Sequence, residues 1–152
     1  MKRLIFLVVS ITILFEVGYS QSAITSMKPI MEMGYQFVNE IEKQMGSNAI
    51  VQRAEFDFAF DDNFSYVDVS PELKYVIAAL GDEQINDISL MVYRKVNNQW
   101  TLLAQDNENS PKALVEFTPS KQEEYAIDVR VNSYKNTQKI GHVATFILVT
   151  KK

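Results

Sequence analysis

Two hydrophobic periodicities divide the chain. Ile30, Gly34, Phe37, Val38, Ile41 and Met45 recur at the spacing of one helical stripe. Ser26 can cap the start of that helix, Pro29 suits its first turn, and Gly46 marks its end. Glu32, Glu40, Glu42, Lys43 and Gln44 fall on the other faces. From Ile50 the period becomes two. Phe56, Phe58 and Phe60 alternate with Glu55, Asp57 and Ala59, which predicts a half-buried strand with its aromatics inward. Further strand patterns cover Tyr66–Ser70, Leu73–Ile77, Ile88–Tyr93, Trp100–Ala104, Ala113–Phe117, Tyr125–Val131 and His142–Val149, separated by Gly, Pro, Asp and Asn turns. Asn97-Asn98 between two of them predicts a hairpin. Tyr125, Ile127 and Val129 are assigned to the central core, with Asp128 and Arg130 facing out.

No helical patterns alternate with these strands. The predicted fold is therefore mainly β: an antiparallel β-sandwich or jelly roll of about seven or eight strands with one N-terminal amphipathic helix. The organisation is a signal peptide over 1–20, a helical segment over 21–48 and a β-sandwich over 49–152.

The signal peptide rests on Lys2 and Arg3, the apolar run Leu4–Phe15, and the small residues Gly18 and Ser20 before a cut after Ser20. That run is shorter than the roughly 20 residues a spanning helix needs. A secreted or periplasmic protein with no membrane span after cleavage is expected. Without Met1–Ser20 the chain carries 13 basic and 18 acidic residues, a net charge of −5. That balance argues against nucleic acid and anionic membranes as partners. The absence of Cys excludes disulfides, thiol catalysis and zinc–thiolate sites. Together these features suggest a bacterial exported protein, and the sequon Asn63-Phe64-Ser65 is read as chance.

Catalytic patterns are missing. His142 is the only histidine, set in a strand beside Ala144 and Phe146, and it is read as structural. There is no Gly-x-Ser-x-Gly elbow, no HExxH, no phosphate loop and no GxGxxG. Glu55 and Asp57 share a strand face about 7 Å apart by strand rise, and are read as a solvated outer face rather than a glycosidase pair. Two acidic loops flank the predicted hairpin, one with Asp82, Glu83, Asn86 and Asp87, the other with Asp106, Asn107, Glu108 and Asn109. Asp82, Asp87, Asp106 and Glu108 are the candidate metal ligands, and Ca²⁺ is the cation such hard oxygens suit. Tyr93, Trp100 and Tyr134 are candidates for an aromatic platform for sugars. Trp100 shares the parity of Leu102 and Ala104, which assigns it to the core. Tyr93 faces away from Leu90 and Val92 and is the better surface aromatic.

The segments Asn86–Tyr93, Leu102–Asp106, Ala113–Pro119, Glu124–Val129 and Ala144–Val149 together resemble the bacterial pre-peptidase C-terminal domain. The resemblance spans about Leu73–Val149. Ser89 stands where that family often has a second aspartate, Glu123 and Glu124 replace its usual glycine region, and only Asp87 matches its acidic positions. The resemblance implies a secreted β-sandwich of the kind appended to exported peptidases, some of which bind Ca²⁺ and matrix protein. The expected function is an exported, non-catalytic binding or accessory module for a protein or glycan. The alternatives are a structural subunit of an envelope or secretion assembly, docking through the Met-rich helix, and a small hydrolase.

Overall fold

The computed structural model describes residues 26–59, 63–135, 137 and 139–151. The predicted signal peptide and Phe60 lie outside them. Helix α1, Lys28–Met45, is followed by a short 3₁₀ turn and eight strands. These are β1 Ala49–Phe58, β2 Asn63–Val67, β3 Leu73–Gly81, β4 Ile85–Val96, β5 Gln99–Asp106, β6 Lys112–Phe117, β7 Tyr125–Tyr134 and β8 His142–Lys151. They form two four-stranded sheets, ordered β1-β8-β3-β6 and β2-β7-β4-β5, with antiparallel pairing throughout. The fold is thus the antiparallel β-sandwich that the strand spacing predicts.

There are two apolar layers. The first lies between the sheets and includes Tyr75 and Ile77 of β3, Leu90 and Val92 of β4, Val115 and Phe117 of β6, Ile127 and Val129 of β7, and Ile147 of β8. Phe117 stacks between Tyr75 and Tyr125, with ring centroids 5.3 and 5.7 Å away. The second lies under α1 on the outer face of the β1-β8-β3-β6 sheet. There Ile30, Phe37, Val38 and Ile41 meet Val76, Ala78, Phe146 and Leu148. β3 and β8 are therefore covered on both faces. This is why Tyr75–Leu80 and Phe146–Val149 read as unbroken apolar runs instead of alternating ones.

Gly34 lets the helix come this close. A Cβ there would stand 2.8 Å from Phe146 Cζ and 2.9 Å from Phe56 Cε1, closer than side chains tolerate. Gly34→Val should lower stability by about 1–3 kcal/mol through overpacking. Urea unfolding measures this, and an unchanged midpoint would contradict the tight seat of α1.

β1 corrects the expectation of inward aromatics. Phe56 packs beneath α1 and Phe58 lies half-exposed over the His142 ring at 4.7 Å, both outside the inter-sheet core. Glu55 and Asp57 instead line a cleft of about 370 Å³ with Asn63 and Ser65, where the β1 and β2 edges face each other. Both β1 and β2 are sheet edges, so their facing sides stay open enough for carboxylates. Arg53 joins these edges by donating to Tyr66 O and Ser65 Oγ, each at 2.9 Å.

Burial pushes the Tyr125 phenol above its ordinary value, and the Glu123 carboxylate adds to the shift against the opposing charges of Arg94 and Lys121. The folded state therefore holds the phenol neutral where the unfolded chain ionises it. This contribution to stability is complete below about pH 10, the ordinary tyrosine value, and is lost as pH rises through the higher folded value. Tyr125→Phe should flatten the alkaline fall in the urea midpoint between pH 8 and 11.5. Parallel curves for the two proteins would refute this.

Candidate functional site: an aromatic face

The outer face of the β2-β7-β4-β5 sheet carries aromatic rings on three of its strands. The hairpin turn that sets them is Asn97-Asn98, with φ of 50° and 63°, the positive values a type I′ turn requires. Two residues on, Trp100 pairs with Lys95. Its position overturns the core assignment, and the reason is a register shift between Val92 and Tyr93. Val92 faces Ala104 while Tyr93 faces Leu102, so Leu103 is an extra residue in β5. The bulge reverses the parity of the strand. Ala104 packs on the inter-sheet core, whereas Leu102 and Trp100 are 45% and 36% exposed.

Phe64 and Tyr66, 46% and 65% exposed, complete the cluster from β2. Ring centroids are 5.9 Å apart for Phe64–Trp100, 5.9 Å for Tyr66–Trp100, 5.6 Å for Phe64–Tyr66 and 6.5 Å for Phe64–Tyr93. β2 and β5 are separated by two strands, about 14 Å at ordinary strand spacing. Their rings meet because they lean across the middle of the sheet, over Ala126, which is fully buried. The Lys95 ammonium lies 5.7 Å from the Trp100 ring centre and 2.8 Å from Glu124 Oε2.

Tyr93 sits where the sequence places it, on the surface. Tyr134 does not join the platform. It packs against the inter-sheet core and its hydroxyl donates to Ala59 O at 3.1 Å. Phe64 and Tyr66 went unnoticed in the sequence, although their i, i+2 spacing is the signal that finds them.

A polar row continues this face. Asp128 accepts from Arg130 Nε at 2.9 Å and lies 2.7 Å from Arg130 Nη2. Asn132 Nδ2 donates to Ser89 Oγ at 2.7 Å and to Asp87 Oδ2 at 3.0 Å. Rings and hydrogen-bonding groups therefore lie side by side on one open surface.

Three of the four candidate metal ligands, Asp82, Asp87 and Asp106, accept hydrogen bonds within the fold. Asp82 is buried; its Oδ1 accepts from Gln84 N, and its Oδ2 accepts from His142 N at 2.8 Å and sits 3.0 Å from His142 Nδ1. Asp87 accepts from Ser110 N and from Asn132. Asp106 accepts from Glu108 N and, through Oδ2, from Leu114 N on the edge strand β6. The Glu108 side chain is exposed. Among the described residues no three His, Asp or Glu side chains converge as metal ligands. These three carboxylates tie the loops to the sandwich, through amides of their own turns at Gln84 and Glu108 and through those of His142, Ser110 and Leu114 elsewhere in the chain. The His142 imidazole is sealed from solvent, and among the described residues its Nε2 has no hydroxyl partner.

Among the described residues no helix is long and apolar enough to cross a membrane. No family model matches the chain, and no curated protein does. In fold it is an antiparallel β-sandwich similar to several solved structures. One is the pre-peptidase C-terminal domain of a collagenase from Bacillus anthracis. It is 11% identical, with a TM-score of 0.49 over 64% of this chain and 89% of that one. Another is CorA, described as a surface-associated copper-binding protein of Methylomicrobium album BG8. It is 8% identical, with a TM-score of 0.48 over 64% of this chain and 92% of that one. A third is a carbohydrate-binding module, CBM4, 12% identical, with a TM-score of 0.40 over 73% of this chain and 83% of that one.

Proposed function

We propose that this protein is an exported, non-catalytic binding module that holds a glycan on the aromatic face of its β2-β7-β4-β5 sheet. The observation that carries the reading is the gathering of Phe64, Tyr66 and Trp100 into mutual contact on an open surface, with Tyr93 beside Phe64. Exposed apolar patches rimmed by polar groups mark binding sites. A sugar ring has an apolar C–H face and a rim of hydroxyls. The rings suit the first, and the row Ser89, Asp128, Arg130 and Asn132 suits the second. Secretion through Met1–Ser20 would bring the face to extracellular or periplasmic polysaccharide.

The test is calorimetric titration of the mature protein with cellohexaose, xylohexaose, chitohexaose and maltohexaose. Binding of at least one at micromolar to millimolar concentration is expected. No heat from any of them would overturn the reading. A second reading, a subunit docking through α1, draws on Met31 and Tyr35, which stand exposed on the helix face away from the sheet. It leaves the aromatic face without a role.

A further inference from the structure

Asp128 is a buried carboxylate on an otherwise open face. Its residue is 2% exposed, although α1 packs on the other sheet and, among the described residues, no element covers this side of the β2-β7-β4-β5 sheet. Its neighbours across the ladder are Phe64 on β2 and Met91 on β4. Among the described residues, Phe64, Met91 and Arg130 are the side chains placed beside it. Oδ2 accepts from the Arg130 guanidinium. Oδ1 is shut off from solvent and, among the described residues, accepts no hydrogen bond.

A desolvated carboxylate oxygen without a donor is costly, and an apolar residue at this position would avoid the cost. The missing donor has to come from something that lands on the face. Arg130 already balances the charge, so a second cation has little to gain there, whereas a neutral O–H donor completes the set. The position next to Phe64 puts that donor at the rim of a ring-stacked ligand.

We propose, resting on the glycan-binding reading, that Asp128 is the specificity element of the aromatic face. Its Oδ1 accepts a hydroxyl hydrogen from a sugar stacked beside Phe64. The face therefore selects sugars that present a hydroxyl to Oδ1 over uronic-acid polymers, whose ionised carboxylates have no hydrogen to give and would set oxygen against oxygen there. Phe64 or Met91 turns aside as the sugar enters, a side-chain change common on binding.

The experiment titrates wild type, Asp128→Asn and Trp100→Ala with the four neutral hexaoses above and with hexagalacturonate. In the Asn variant Arg130 retains the remaining amide oxygen, which turns the amide NH₂ to the place of Oδ1 and removes the acceptor. Asp128→Asn should bind the neutral hexaose about tenfold or more weakly, the loss of a hydrogen bond to a charged group. Its melting temperature without ligand serves as the check on folding, and the weaker binding should persist at temperatures where the variant is fully folded. Hexagalacturonate should not bind wild type. Unchanged affinity in Asp128→Asn beside abolished affinity in Trp100→Ala would overturn the specificity role and leave the binding face standing. Silence of every neutral hexaose would remove both. Should Asp128→Asn fail to fold, wild type alone decides: hexagalacturonate binding as tightly as a neutral hexaose overturns the proposal.

Discussion

Replacing Ile127 with alanine should destabilise the protein by about 2–5 kcal/mol. Ile127 is 1% exposed, in the middle of β7, flanked across the ladder by Ser65 and Val92. Its side chain points between the sheets into the layer that includes Leu90, Val92 and Ile147. Truncation removes three methyl or methylene groups and leaves a cavity that strands held on both sides cannot close. The loss should appear as a lower urea midpoint at an unchanged slope. A cost below about 1 kcal/mol would mean that the inner face of β7 does not carry the core.

Trp100→Ala should weaken glycan binding by about 2 kcal/mol or more, roughly 30-fold, the loss expected for an aromatic anchor at the centre of a contact surface. Trp100 touches both Phe64 and Tyr66, so its removal opens the middle of the platform. The fold should survive, because the indole is more than a third exposed and makes no contribution to the inter-sheet layer. Met31→Ala on the far surface of α1 serves as the control and should leave affinity unchanged. Titration calorimetry beside a thermal melt separates the effects. Loss of affinity in Met31→Ala with none in Trp100→Ala would point to the helix, not the sheet.

The helix and the inner strand faces were legible in the sequence because each follows a single period. Ile30 to Ile41 marks the stripe on the sheet, and Tyr125, Ile127 and Val129 mark the inner face of β7. The site was legible in pieces. Tyr93 was placed on the surface by parity within β4. Trp100 was misplaced because the bulge at Leu103 exchanges inside for outside, and no residue type announces a bulge there. Phe56 and Phe58 alternate like core residues, but β1 is an edge strand whose sheet is covered on its outer side by α1. The pattern tells that they share a face and not which layer the face meets. The amide partners of the acidic loops, among them Ser110, Leu114 and His142, were not legible because they come from distant positions.

The most direct measurement is amide chemical-shift mapping of the ¹⁵N-labelled mature protein during titration with the hexaose that binds. Shifts are expected on Phe64, Tyr66, Ser89, Tyr93, Trp100 and Asp128, across the outer face of β2, β7, β4 and β5, with the Trp100 indole N–H among the largest. Shifts confined to α1 and the groove it forms with β6, around Phe37 and Leu114, would contradict the account.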